Sequence, residues 1–252
     1  MTEIKTATKR FEGKNVLITG ASRGIGRATA VAFGKEGAHL ILVARTRGGL
    51  EETDDEVRAA GGSATLVEMD LTDASKLDAL GPSLFERFKH LDALIANAAM
   101  LGPLSPLTHI SDADWASVID INLTVNWRLI RTLDPLLRRA PAARAVFVSS
   151  NSARSCRAYW GPYAVSKAGL EALVKVYANE VANSAIRANL LDPGATRTAM
   201  RAAAMPGEDP ATLPSPEAIA PIIVEMASPE YNANGKVVRA NEHELYARSQ
   251  LR

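Results

Sequence analysis

The chain predicts a single α/β domain organised as a doubly wound sheet. Three observations carry this. Short apolar runs of strand length alternate with helical patterns from one end of the sequence to the other, the signature of strands covered by helices. The first apolar run leads directly into a glycine turn and then a helix, an order found at the ligand-binding edge of parallel α/β folds. The 252 residues, 47% of them hydrophobic, suffice for one substantial core, and neither internal repeats nor a linker divide it.

Taken in order, residues 1–13 are polar, lack packing periodicity and a signal-peptide core, and read as an N-terminal tail. Asn15-Val-Leu-Ile-Thr19 is a first buried strand. It runs into Gly20-Ala-Ser22-Arg23-Gly24-Ile25-Gly26, after which Ala28, Val31, Ala32 and Phe33 mark a helix ending near Gly37. Here glycines allow close backbone approach, and free amides at the helix start suit a phosphate. His39-Leu-Ile-Leu-Val-Ala44 is a second strand, followed at once by Arg45. The acidic stretch around Glu51 to Glu56 reads as the solvated face of a helix reaching residue 60. A third strand, 64–68, ends in Met69-Asp70-Leu71. A helix over 76–88 and a fourth strand over 92–96 lead to Asn97-Ala98-Ala99.

Ser111 predicts a helix N-terminus, with Asp114 three residues on. Asn122 is expected to open a long amphipathic helix to residue 139, where Pro141 helps to end it. The fifth strand, from Ala145, ends in Ser149-Ser150. Gly161-Pro162 then predicts the start of a helix running through Leu170 and Tyr177 to residue 183. Residues 186–191 form a sixth strand, ending in Asp192-Pro193-Gly194-Ala-Thr196-Arg-Thr198. The Ala-, Met- and Pro-rich segment 199–214 follows, then a helix over 215–226 and a short last strand over 235–240. The charged residues 241–252 read as a C-terminal tail.

Composition excludes several classes. With 29 basic and 28 acidic side chains, net charge +1, there is no footprint for nucleic acid. The longest apolar runs are strand-sized, so no membrane span is expected, and the chain reads as cytoplasmic. The single cysteine, Cys156, excludes an internal disulfide, and His39, His90, His109 and His243 lack metal-ligand spacing, so no metal site is expected.

The candidate chemistry centres on residues 145–170. On a helix begun at Gly161-Pro162, Tyr163 and Lys167 lie four residues apart on one face. Ser150, at the C-terminal end of a parallel strand, faces the same crevice. Serine, phenol and ammonium together suggest proton transfer. A free phenol titrates near ~10, so lowering it by about 3 units requires on the order of 4 kcal/mol. An ammonium at ~5 Å in an effective dielectric of ~20 contributes roughly 3 kcal/mol of this.

With these pieces placed, the chain resembles the short-chain dehydrogenases/reductases over residues 14–240. Four motifs coincide in order: Thr19-Gly20-x-x-x-Gly24-x-Gly26, Asn97-Ala98, Ser150 with Tyr163-x-x-x-Lys167, and Pro193-Gly194 with Thr198. The resemblance implies a Rossmann-like parallel sheet of seven strands with helices on both faces, and a nicotinamide cofactor. That cofactor would meet Gly20, Ser22, Arg23, Gly24, Ile25 and Gly26, with Asp70 and Leu71 at the adenine and Asn97 and Ala98 at the ribose. The turn Pro193, Gly194, Thr196 and Thr198 would lie against the nicotinamide. By the same resemblance Tyr163 is the general acid or base. Lys167 lowers its pKa and holds the nicotinamide ribose, helped by the positive charge of the oxidised cofactor. Ser150 binds the substrate oxygen, and Asn122 anchors a relay water, with Asn126 one turn away as the other candidate.

The motifs depart from the family at Ala96 and Ala99, where a second Asn and a Gly are usual, and at Asn241-Glu-His-Glu, where a glycine pair is usual. Arg23 and Arg45, with no acid after the second strand, favour NADP(H) over NAD(H). The segment 199–214 is expected as a substrate lid facing Met100, Leu101, Tyr159 and Trp160, which suits an apolar or acyl carbonyl or alcohol substrate. Arg197 or Arg201 is placed at its mouth. A homodimer or homotetramer is expected through the helices carrying Trp127, Leu129, Val174 and Tyr177. The competing readings are a non-catalytic nucleotide-sensing or protein-binding Rossmann module, an epimerase or dehydratase using the same phenol, and a Cys156 nucleophile between Arg154 and Arg157.

Overall fold

The computed structural model describes residues 9–249. Seven strands form one parallel sheet: β1 (Asn15–Thr19), β2 (His39–Ala44), β3 (Ser63–Glu68), β4 (Ala93–Ala96), β5 (Arg144–Val148), β6 (Arg187–Asp192) and β7 (Val237–Arg239). Their spatial order is β3-β2-β1-β4-β5-β6-β7, every neighbouring pair parallel. The chain winds outward in one direction from β1 to β3 and in the other from β4 to β7. The crevice therefore opens between the C-terminal ends of β1 and β4, where loops leave in opposite directions.

Helices cover both faces because the inner strands are buried on both sides and present continuous apolar runs. One face receives α1 (Gly24–Lys35), α2 (Arg47–Ala59) and α9 (Pro216–Met226), with Phe33, Leu50, Ile219 and Ile223 in its core. The other receives α3 (Ala74–Phe88), α5 (Val125–Leu137) and α7 (Gly161–Glu180), with Leu77, Leu129, Leu133 and Leu170. Asp73 caps α3 through its carboxylate to the amides of Ser75 and Lys76. Ser111 caps α4 (Asp112–Ile119) by accepting from Asp114 N.

Several expectations are corrected. The N-terminal tail does not reach residue 13: Phe11 is buried and meets Phe33 edge-on, with ring centroids 4.8 Å apart; residues 1–8 of that expected tail lie outside the described residues. At the other end the tail gives way to a 3-10 turn (Ala240–Glu242) and a helix α10 (Glu244–Ser249), whose Leu245 and Tyr246 pack on the α9 side of the core. A lone Phe, buried, and an adjacent Leu-Tyr pair, half-buried, anchor these ends within charged surroundings.

Asn122 does not open a helix. It sits inside a π-helical turn (Asp120–Thr124) that joins α4 to α5 without a break. Of the four apolar residues expected at a subunit interface, Leu129, Val174 and Tyr177 are buried within the chain, and Trp127 alone stays exposed. Val165 and Val176 add exposed apolar surface on α7. Among the described residues no helix is long and apolar enough to cross a membrane, and no cluster of potential metal ligands occurs.

Candidate active site

The glycine turn is built for close packing. Gly20 has φ +65, and a Cβ there would come within 2.9 Å of Asn97 Nδ2. At Gly26 a Cβ would lie 2.3 Å from the Gly20 carbonyl oxygen, so only glycine lets α1 start this close to β1. Arg23 stands at the N-cap of α1 in extended conformation with no side-chain cap, leaving the first-turn amides facing outward for an anion. Thr19 Oγ1 accepts from the amides of Asn97 and Ala98, both at 3.0 Å, while Asn97 Nδ2 donates to Thr19 O at 3.0 Å and Gly20 O at 3.3 Å. The ends of β1 and β4 are thus stapled at the crevice. Asn97 Nδ2 and the amides of Asn97 and Ala98 are all held in this staple, so the carbonyl oxygens of Asn97-Ala98 are the backbone groups left for a ligand.

The other proposed cofactor contacts surround this point. Ser22 and Ile25 are half-buried in the turn. Arg45 is exposed just past β2, and its charge helps hold the Asp70 carboxyl below its ordinary value, behind the larger effects of the Thr72 amide and hydroxyl. The Arg23 side chain is also exposed and, among the described residues, makes no ion pair. The Leu71 side chain lies in the core, which limits it to backbone contact. The turn after β6 crosses the same crevice: Gly194 has φ +67, Thr196 donates to Pro193 O at 3.2 Å, and Thr198 methyl lies 3.5 Å from where a Cβ on Gly24 would be. The residues present fit an elongated dinucleotide with its phosphates at α1.

Ser150, Tyr163 and Lys167 converge at the C-terminal end of β5. The Ser150 hydroxyl lies close enough to the Tyr163 phenol to lower its pKa, while Ser150 Oγ accepts from Ser152 N at 3.2 Å. Lys167 Nζ lies 5.8 Å from the Tyr163 ring centroid and donates to Val148 O at 2.7 Å. Burial pushes the Lys167 ammonium down to about 8. It also pushes the phenol up from its ordinary value, with the Ser150 hydroxyl working against this and the Asp192 charge adding to it. The lowered phenol expected from the sequence is therefore not what the unliganded chain has, because desolvation by burial is the largest effect on it.

Asn122 is fully buried. Its amide pairs both ways with the backbone of Met100 (both 2.9 Å) and donates to Ser166 Oγ at 3.0 Å, tying the loop after β4 to α7. Asn126 Nδ2 donates to Asn122 O at 2.8 Å. Both amide N–H donors of Asn122 are thus committed to protein.

Over the crevice, α8 (Ala199–Ala204) is capped by Thr198, which accepts from Arg201 N. Arg201 grips Glu208 through two bonds of 2.5 and 2.6 Å, and Arg197 N bonds Pro214 O at 2.9 Å, closing the segment into a compact flap. This takes Arg201 out of the role at the mouth and leaves the exposed Arg197. Cys156 is exposed at φ +45. The Arg154 guanidinium expected to stabilise its thiolate instead pairs with Glu171 and Asp192. Sequence reasoning missed this ion cluster, although Glu171 continues the four-residue spacing of Tyr163 and Lys167.

Comparison with known proteins now decides the family. The family described as short chain dehydrogenase matches residues 14–209. The uncharacterized oxidoreductase YciK of Escherichia coli is 34% identical over 210 residues, covering 82% of this chain and 83% of YciK. The chain belongs to the short-chain dehydrogenase family. A protein designated a short chain dehydrogenase from Escherichia coli CFT073, complexed with NADPH, superposes with a TM-score of 0.87 at 31% identity, covering 93% of this chain and 99% of that one. The uncharacterized NAD-dependent oxidoreductase Rv0687 of Mycobacterium tuberculosis is 32% identical over 204 residues, covering 75% of this chain and 74% of that protein. The seven-stranded parallel Rossmann-like sheet and the oxidoreductase class follow from this membership.

Proposed function

We propose that this short-chain dehydrogenase interconverts a carbonyl and an alcohol on an apolar or acyl-type small molecule, with NADP(H) favoured over NAD(H). The observation that carries the reading is the convergence of the Ser150 hydroxyl, the buried Tyr163 phenol and the Lys167 ammonium, 5.8 Å from the phenol ring, beside an uncapped glycine turn. Such a cofactor supplies or accepts the hydride at the substrate carbon. The chain's residues handle the proton: Tyr163 gives it to the carbonyl oxygen in reduction and removes it in oxidation. Ser150 hydrogen-bonds the same oxygen and fixes its direction. Lys167 favours the phenolate and would hold the ribose hydroxyls. Asn122 acts by position, setting the loop of Met100 against α7.

The preference for NADP(H) is supported by two exposed guanidinium groups, Arg23 and Arg45, beside the turn, because planar guanidinium forks suit a 2′-phosphate. The substrate class is supported by exposed Met100, Leu107 and Tyr159 and half-buried Trp160, Met200 and Met205, which can repack around varied apolar shapes. A sensing module would have no use for this proton-handling set.

The test is a panel of carbonyl compounds assayed with NADPH and NADH on the wild type and Tyr163→Phe. The variant is expected to lose turnover by at least about 100-fold while cofactor affinity is unchanged, since the ring stays and one hydroxyl goes. Retained turnover in Tyr163→Phe overturns the assignment of the phenol. Free sugars outperforming matched apolar carbonyls overturn the substrate class.

A further inference from the structure

Helix α7 carries a line of side chains four residues apart: Tyr163, Lys167, Glu171 and Lys175. The first two serve the site described above. Glu171 is buried on the same face, and its Oε1 accepts from Ser149 Oγ at 2.8 Å and from the Arg154 guanidinium. The other arm of Arg154 bonds Asp192 Oδ2 at the end of β6. Asp192, also buried, accepts the amide of Gly194 on Oδ1 at 3.1 Å. One guanidinium from the short helix α6 (Ser152–Ser155) therefore joins the residue before Ser150, the face of α7 bearing the phenol, and the residue before Pro193-Gly194.

We propose that Arg154 is a positioning residue for proton transfer: it fixes Ser150, Tyr163 and the Pro193-Gly194 turn relative to one another and neutralises the two buried carboxylates behind the phenol. This rests on the reading of Tyr163 given above. Two carboxylates this deeply buried require a cation in contact. The remaining charges facing the group are Lys167 and Lys175 on α7 and Arg239 on β7. Lys175 lies 3.9 Å from Glu171 and is half exposed, and Arg239 is the exposed register partner of Asp192. None of the three replaces a guanidinium bonded to both acids, Lys167 being held by Val148 O. Asp192 already opposes ionisation of the phenol, and without Arg154 its charge would act uncompensated. A fork that bonds two acids at once is arginine chemistry, which an ammonium reproduces only in charge.

The experiment is an ultraviolet difference titration of the phenol in the protein saturated with NADP+. Each protein is read against its own Tyr163→Phe counterpart, so that only Tyr163 contributes. No substrate is needed, so the result stands apart from any failure to find a turnover partner. Arg154→Met is expected to raise the Tyr163 midpoint by about one pH unit, and Arg154→Lys to raise it less. Arg154→Met combined with Glu171→Gln and Asp192→Asn removes all three charges and is expected to return the midpoint to the wild-type value or below.

A folded Arg154→Met protein, checked by circular dichroism, with an unmoved midpoint overturns the proposal. If Arg154→Met unfolds, the triple variant decides. Folding with a midpoint at or below wild type supports the neutralising role. Failure to fold, or a midpoint above wild type, overturns it.

Discussion

Replacing Lys167 with methionine removes a buried charge while keeping an unbranched side chain of similar length. In the folded chain burial lowers the ammonium from 10.5 to about 8, which at 1.36 kcal/mol per pH unit corresponds to about 3 kcal/mol favouring the neutral amine. The sign follows from proton counting. Between pH 8 and 10.5 the unfolded chain holds this proton and the folded chain has released it, so wild-type stability rises with pH across that window. Below pH 8 both states hold it and the full cost of burying the charge is present. The variant also leaves Val148 O without its 2.7 Å partner, a loss of about 1 to 3 kcal/mol that is nearly independent of pH.

The expected result is therefore a change with pH rather than a fixed offset. Urea unfolding of both proteins without cofactor should show the protein with Lys167 gaining about 3 kcal/mol on Lys167→Met between pH 7 and pH 10.5. Both proteins carry Tyr163→Phe, which removes the phenol next to Lys167, and the remaining groups titrate alike and cancel in the difference. A stability difference that stays constant within about 0.5 kcal/mol over that range refutes the argument that burial sets the Lys167 pKa.

Three further outcomes are expected. Gly26→Ala places a methyl 2.3 Å from Gly20 O and should cost about 1 to 3 kcal/mol of stability and weaken NADPH binding, both readable by thermal shift with and without cofactor; an unchanged Tm with full binding contradicts the packing described for the turn. Arg23→Ala with Arg45→Ala should weaken NADPH by at least tenfold, since a charge-assisted bond is worth about 1.5 to 3 kcal/mol, and leave NADH within about threefold; calorimetry showing equal losses for both cofactors counts against a 2′-phosphate site. A dimer or tetramer is expected by size-exclusion chromatography with light scattering, with Trp127→Glu shifting it toward monomer; a monomeric wild type at micromolar concentration contradicts this.

What the sequence made legible depended on how local each feature is. Val16 to Thr19 and Leu40 to Val43 are buried on both sides of the sheet, so their apolar runs are readable without knowing what covers them. Tyr163 and Lys167 are separated by one helical turn, and that spacing alone places them together. The Arg154 cluster joins residues 17 and 38 positions apart on separate elements, and no local pattern encodes such a meeting. Tyr163 also shows why a pKa argument from charge spacing alone falls short. The ammonium was legible, while the desolvation that raises the phenol is a property of the packed fold. Phe11 and the Leu245-Tyr246 pair were hidden for another reason, since a single apolar anchor has no period to detect.

The π-helical turn at Asp120–Thr124 makes length and sequence separate constraints on this part of the chain. A π turn spends one residue more than an α turn over the same rise, and each helical residue rotates the following face by about 100°. Single substitutions between Asp120 and Thr124 disturb only the contacts of that residue. Deleting one residue lets the segment relax to continuous α-helix with Leu129, Leu133 and Leu136 still facing the sheet, because the shorter α turn rotates the chain about as far as the π turn did; the loss falls on the bulge itself, where Asn122 meets Met100 and Ser166. The extra residue is therefore absorbed locally: it leaves α4 and α5 in phase and gives Asn122 its place between the Met100 loop and α7.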